Sequence, residues 1–291
     1  MNILILGGGY IGTHLIRHLG GRHTIQILTK KIVDYTSLSS FSEYLRTNKF
    51  DIAVNCSGYT GKPNVDACED DKENCWNYNA VYPARTAITL NSFGIPFIQI
   101  SSGCIYQGPG PWTEEDTPNF GMYERDSSFY SKSKHAGELA LANLSGFIFR
   151  IRMPFCDTGQ RKNILVKYLE YDNIASQQNS VTSVIDLCHV IEHFCQHRDS
   201  IEYGIYNVVN KGSVDAESVL ELLKKQGLEN PNWNIVPIDT LDLKAIRSNC
   251  TLSGDKLNNY YEMPTAAKAL KSCTVKLRKF KERSCQDTEK V

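Results

Sequence analysis

Two stretches of this chain carry side chains suited to carbonyl chemistry: Ser101-Ser102-Gly103-Cys104-Ile105-Tyr106 and Tyr130-Ser131-Lys132-Ser133-Lys134. The first follows an apolar run at 95–100 that reads as a buried parallel strand. Side chains two apart on a strand share a face, so Ser102 and Cys104 are expected side by side at its carboxyl end. On a helix, Tyr130 and Lys134 lie one turn apart on one face. A hydroxyl, a thiol, a phenol and an ammonium at one point can polarise a carbonyl oxygen and move the protons beside it. A phenol titrates near ~10, too high for proton exchange at neutral pH, and a neighbouring ammonium is expected to draw it down. The same ammonium could hold the ribose of a nicotinamide. A Y-x-x-x-K pair is also common on surface helices. What favours an enzyme is the order of these motifs along one chain.

The elements that must position these groups alternate. Candidate strands at 2–6, 24–28, 51–55, 95–100 and 146–151 are separated by helical patterns at 10–19, 39–47, 72–91 and 129–144. That alternation predicts an α/β fold, a doubly wound parallel sheet of Rossmann type with helices on both faces. Right-handed crossovers then bring every strand's carboxyl end to one edge. Residues 1–155 read as the cofactor-binding domain, completed by parts of 181–210. Residues 156–291 read mainly as a smaller substrate-binding lobe, with helices near 162–171, 185–197 and 216–226 and a charged tail from 276 that ends without regular structure.

Gly7-Gly8-Gly9-Tyr10-Ile11-Gly12 fits G-x-G-x-x-G between the first strand and the first helix. Gly7, Gly9, Tyr10, Ile11 and Gly12 are thus expected around a dinucleotide pyrophosphate at a helix amino terminus. An NAD site would place a carboxylate at the end of the second strand. Here the strand ends in Leu28-Thr29-Lys30-Lys31, and two cations without a carboxylate suit the 2′-phosphate of NADP(H). Asp34 and Tyr35 are expected at the adenine. Cys56, Ser57 and Gly58 end a strand over which the cofactor would lie, and Asn79 is expected to bridge backbone and water near the lysine. His189, His193 and His197 repeat every four residues, but the segment reads as an amphipathic helix and no metal site is expected.

Composition sets broad limits. Apolar residues make up 41% and charged residues 22% of the 291-residue chain, and Lys+Arg balance Asp+Glu at 32 each, so nothing recommends a nucleic-acid partner. No apolar stretch approaches the ~20 residues of a membrane span, and the apolar opening residues read as a strand, not a signal peptide. The 10 cysteines are scattered, which reads as reduced thiols in a cytoplasmic protein.

Together these residues resemble the extended short-chain dehydrogenase/reductase superfamily, in the branch of dTDP-4-dehydrorhamnose reductase. The similarity is closer still to bifunctional 3,5-epimerase/4-reductases that form UDP-rhamnose. The runs that carry it are Thr60-Gly61-Lys62-Pro63-Asn64-Val65-Asp66, Cys68-Glu69, Gly103-Cys104-Ile105, Glu115-Asp116-Thr117-Pro118-Asn119-Phe120, Ser128-Phe129-Tyr130-Ser131-Lys132, Arg150-Ile151-Arg152-Met153-Pro154 and Arg247-Ser248-Asn249. The resemblance implies Ser102, Tyr130 and Lys134 as a catalytic triad. It implies Cys104 and a distant base, matched at Lys167 within Asn163-Ile164-Leu165-Val166-Lys167, as the epimerising pair. Ser102, Arg152, Asn163 and Arg247 are expected to contact substrate, the two arginines at the diphosphate. The glycine loop departs from the G-x-x-G-x-x-G usual in the family.

The implied reaction converts a nucleotide-4-keto-6-deoxyhexose to a 6-deoxy-L-hexose with NADPH, the 4-keto sugar being made by a separate 4,6-dehydratase. The helices at 72–91 and 129–144 offer a homodimer surface. Two alternatives stay open: a simple 4-reductase with Cys104 passive, and a non-catalytic NADP-binding regulatory subunit.

Overall fold

The computed structural model describes residues 1–288. Its centre is a six-stranded parallel sheet: β1 Asn2–Leu6, β2 Thr24–Leu28, β3 Ile52–Asn55, β4 Phe97–Ser102, β5 Gly146–Ile151 and β6 Gly204–Asn207, in the order β6-β5-β4-β3-β1-β2. The direction of winding reverses at β1, so the crevice between the carboxyl ends of β1 and β3 is where a ligand of such a sheet binds. Strands β3, β4 and β5 are buried at every position, which is why they read as continuous apolar runs.

Helices cover both faces. On one side, α1 Tyr10–Leu19 and α6 Val184–Gln196 pack Leu15, Leu19, Leu187 and Ile191 against Ile3, Val54 and Phe149. On the other, α2 Leu38–Thr47, α3 Tyr82–Ser92 and α4 Phe129–Leu141 contribute Phe41, Leu45, Leu90 and Leu141. Ile88 and Leu139 leave apolar surface on the outer sides of α3 and α4. The smaller lobe has its own core, where α5 Ile164–Glu170, α7 Ala216–Lys224 and α8 Ala266–Thr288 bring together Leu165, Leu220 and Leu270. No helix among the described residues is long and apolar enough to cross a membrane.

Two local features depart from the sequence reading. The stretch at 72–91 is broken by a π-helical turn, Asn77–Val81, between Lys72–Trp76 and α3. Pro83 has no N–H to give the carbonyl of Asn79 four residues back, so the ladder must skip there. That spare carbonyl marks a close approach: a Cβ on Gly137 of α4 would lie 2.2 Å from it. The charged tail, expected to lose regular structure, continues as α8 to Thr288; positions 289–291 lie outside the described residues.

Beneath the end of β4 sits a buried ion pair. Arg150 of β5 donates from Nε and Nη2 to Glu138 Oε2 of α4, at 2.9 Å each, and both side chains are 3% exposed. Ser101 donates to the other carboxylate oxygen at 2.5 Å, and Arg150 Nη1 donates to the Tyr106 hydroxyl at 2.8 Å. Removing one member strands a charge in the core. Arg150→Ala is therefore expected to cost about 3–5 kcal/mol by equilibrium urea unfolding. A loss under ~1 kcal/mol, the value of an exposed pair, would contradict this account.

Candidate active site

The strand β4 ends at Ser102, and the backbone N–H of Cys104 donates to its Oγ at 3.2 Å. Across from them α4 begins. Ser128 caps it by accepting from Ser131 N, and the Glu69 carboxylate accepts from Phe129 N at 2.7 Å, satisfying donors that a helix start leaves free. Ser131 Oγ donates to the carbonyl of Cys104 at 2.6 Å, tying the helix start to the strand end. Tyr130 on this first turn is 8% exposed; the Ser102 hydroxyl lies beside its phenol, and Cys68, Cys75 and Cys104 pack around the ring. One turn on, Lys134 is 8% exposed and donates to the carbonyl of Ile100 at 3.2 Å. Ser102, Cys104, Tyr130 and Lys134 thus converge.

The charges there differ from the sequence expectation. Burial, then the Cys104 thiol, push the Tyr130 phenol well above its usual range, while the Ser102 hydroxyl pulls it the other way. Lys134 is lowered from 10.5 to about 8, because burial removes water from the ammonium and Glu138 only partly compensates. The lysine does not make the phenol acidic. Both groups are held in their neutral directions by the same dry surroundings.

Arg152 also differs. The sequence points it at a diphosphate, whereas here it is 5% exposed and holds the sulfur of Cys104, Nη1 to Sγ 2.7 Å. Its Nη2 donates to Asn179 Oδ1 at 2.6 Å and to the Ser248 carbonyl at 2.5 Å, and its Nε is buried without a partner among the described residues. Met153, at φ +38°, turns the chain sharply behind it, a left-handed conformation that a non-glycine residue adopts only under constraint. Arg247 is held by both oxygens of Asp66, at 2.7 and 2.8 Å. Asn163 is a correction too. It is fully buried, accepts from Leu165 N and Cys156 N, and donates to the carbonyls of Cys156 and Thr158. Every donor and acceptor of that amide is spent on capping α5 and on holding the loop at Cys156 and Thr158, and none is left for substrate. Lys167, one turn into α5, is lowered by burial, then by the nearby Arg247 and Lys162.

The glycine loop is tight for a physical reason. Gly7 has φ +91°, and a Cβ on Gly12 would lie 2.1 Å from the Gly7 carbonyl. That cradle and the free N–H groups of the first turn of α1 fit a pyrophosphate. Gly9 caps the helix, while Tyr10 and Ile11 turn their side chains to the core, so only their backbones border the loop. Tyr35, expected beside adenine, is 5% exposed and sits edge-on to Phe41 within the core. The Asp34 carboxylate accepts from Thr36 N and Oγ1. Lys30 is exposed and lies over the Tyr78 and Tyr82 rings, 5.2 and 5.0 Å from their centroids; Lys31 is exposed. Cys56 packs against the Gly12 position, and Ser57 donates to Asn55 Oδ1 at 2.5 Å. Asn79 clamps Tyr59 through its N–H and carbonyl at 2.9 Å each, and its Oδ1 and the Lys134 Nζ both border Gly58, so it bridges backbone beside the lysine.

Sequence reasoning missed Glu138, Arg150 and Asp66 as supports. The four-residue step from Lys134 to Glu138 was the available signal.

A Rossmann-type sheet with a buried Ser–Tyr–Lys cluster at its carboxyl edge defines the reductase/epimerase fold. The chain belongs to the RmlD substrate-binding domain family, whose model matches residues 1–279. It is 30% identical over 219 residues to the Arabidopsis thaliana bifunctional dTDP-4-dehydrorhamnose 3,5-epimerase/dTDP-4-dehydrorhamnose reductase, covering 71% of this chain and 70% of that one. It is 28% identical over 229 residues to an Arabidopsis trifunctional UDP-glucose 4,6-dehydratase/3,5-epimerase/reductase; that match covers 75% of this chain but 33% of that protein. Among solved structures, the UDP-rhamnose synthase of Acanthamoeba polyphaga mimivirus superposes with a TM-score of 0.82 at 23% identity, covering 95% of this chain and 99% of that one. The Bacillus anthracis dTDP-4-dehydrorhamnose reductase in complex with NADP gives 0.79 at 22% identity, over 94% and 98%.

Two measurements check the site. Gly12→Ala should abolish dinucleotide binding by fluorescence titration, since its methyl would collide with the Gly7 carbonyl; binding within two-fold of wild type would contradict the cradle. Lys134 is depressed in the folded state, so folding opposes its charge fully below pH 8, and the penalty vanishes as pH rises from 8 to 10.5. Lys134→Met should therefore stabilise the ligand-free chain at pH 7 by on the order of 3 kcal/mol, with the gain fading by pH ~10. A pH-independent difference would refute it.

Proposed function

We propose that the chain is an NADPH-dependent nucleotide-sugar 4-reductase that also epimerises its 4-keto-6-deoxyhexose substrate, giving a UDP- or dTDP-linked 6-deoxy-L-hexose such as L-rhamnose. The observation that carries the reading is Cys104 held at 2.7 Å by the buried Arg152, beside the neighbouring Ser102 and Tyr130 hydroxyls. A plain reductase needs the second feature and has no use for the first.

Gly7, Gly9 and Gly12 would hold the cofactor pyrophosphate, Lys30 and Lys31 the 2′-phosphate, and Lys134 the ribose. Bound NADPH supplies a hydride to the carbonyl carbon. Ser102 and Tyr130 hold the C4 oxygen, and Tyr130 donates the proton that completes the alcohol. The same oxyanion site stabilises the enolate when a proton leaves C3 or C5. The buried Arg152 guanidinium fixes the Cys104 sulfur at 2.7 Å, in the place where a base would act on the carbon beside the ketone. Lys167, lowered by burial and by Arg247 and Lys162, is suited to exchange a proton on the other face. The 4-keto sugar would come from a separate 4,6-dehydratase.

The test uses UDP-, dTDP- and GDP-linked 4-keto-6-deoxyhexoses in deuterated water, with and without NADPH. Wild type should place deuterium beside the ketone and reduce it. Cys104→Ser should lose exchange by ~10² or more while reduction of an already epimerised sugar stays within a few-fold, because serine is a much weaker base than a thiolate. Lys167→Ala should behave like the cysteine variant. Tyr130→Phe should lower both activities by ~10²–10³, reduction the more. Reduction without exchange in wild type would leave a simple 4-reductase. No turnover of any sugar, with stable capture of an enzyme partner, would indicate a regulatory subunit.

A further inference from the structure

Far from the catalytic cluster, the end of α1 meets the last turns of α6 at the opposite edge of the sheet. Glu192 is nearly buried there, its side chain 10% exposed. His18 Nε2 lies 2.8 Å from Glu192 Oε2, and His23 Nε2 lies 3.0 Å from Oε1. The His189 ring packs edge-on to His18 with centroids 4.4 Å apart. One ligand atom each from His18, His189 and Glu192 falls within 4.8 Å of the others. His189 and Glu192 are one turn apart on α6, and His18 comes from α1, so the set exists only when the two helices pack. His193 and His197, which share the four-residue spacing in sequence, stack on each other and stay outside it.

We infer that His18, His189 and Glu192 form a binding site for a divalent transition metal, Zn²⁺ by preference, that clamps α1 to α6. Two imidazoles and a carboxylate are a donor set that suits zinc and leaves a fourth position for water. His23, on the other carboxylate oxygen, supplies the outer hydrogen bond that orients such a ligand. The Nδ1 of His23 is buried without a partner among the described residues, so this ring already carries a cost that a firmly placed carboxylate would help to offset. Arg22 is the competitor: its Nη1 lies 3.1 Å from Oε2, but its side chain is 51% exposed and can swing into water when a cation takes that oxygen. Because α1 starts at the glycine loop, a clamp at its far end restrains the helix whose first turn would face a dinucleotide. The inference does not depend on the proposed reaction.

The test titrates the chelator-treated full chain with Zn²⁺ against a chromophoric competitor, then with Co²⁺. Wild type should bind one equivalent and melt at a higher temperature with zinc. His189→Asn, at an exposed position, and His18→Gln, which keeps a donor for Glu192, should each weaken binding at least ten-fold and erase the thermal shift; His197→Asn should change neither. Bound Co²⁺ should lack a thiolate charge-transfer band, which separates this site from the cysteines. Absence of binding, equal binding in His189→Asn, or a thiolate band would overturn the inference.

Discussion

The arrangement of the active site depends on the buried pair between Glu138 and Arg150. It joins α4 to β5, and through Ser101 and Tyr106 it also fixes the end of β4 and the loop beyond it. A charge pair with 3% exposure on each side tolerates little displacement, because any movement leaves a charge without its partner in low dielectric. Tyr130 and Lys134 lie on the two turns of α4 before Glu138. Their position over Ser102 is therefore set from below, by electrostatics, and from the side by the contact of Gly137 with the π-turn carbonyl of Asn79.

That rigidity explains the electrostatic state of the ligand-free site. Packing that fixes Tyr130 and Lys134 also removes water from them, and the loss of solvation outweighs what Ser102 offers a phenolate and Glu138 offers the ammonium. The phenol stays protonated and the lysine is easily neutralised. Negative charge arriving with a ligand would favour the ammonium again. Cys104 is held from another side: its sulfur accepts from Arg152, whose further hydrogen bonds to Asn179 and Ser248 fix the guanidinium in one place.

Much was legible in the sequence because it is local. The apolar runs of β1, β2 and β5, the Gly7-to-Gly12 turn, the step from Tyr130 to Lys134, and the step from Ser102 to Cys104 are all set by backbone periodicity and nearest neighbours. Those features also gave the sheet, its edge and the meeting of the four groups. The π turn was written locally as well, in Pro83, but one missing N–H is easily lost inside an otherwise regular helical pattern.

What the tertiary structure alone decided concerns partners distant in sequence. Arg152 looks like a phosphate ligand until Asn179, Ser248 and Cys104 close around it, and Asn163 looks like a substrate contact until Cys156 and Thr158 occupy its amide. His189 belongs to a solvated helix face in the sequence, and only the packing of α1 on α6 brings His18 to it and Glu192. The physical reason is the same in each case. Periodicity determines which way a side chain points from its own element, whereas hydrogen-bond occupancy and desolvation depend on what the rest of the chain brings to meet it.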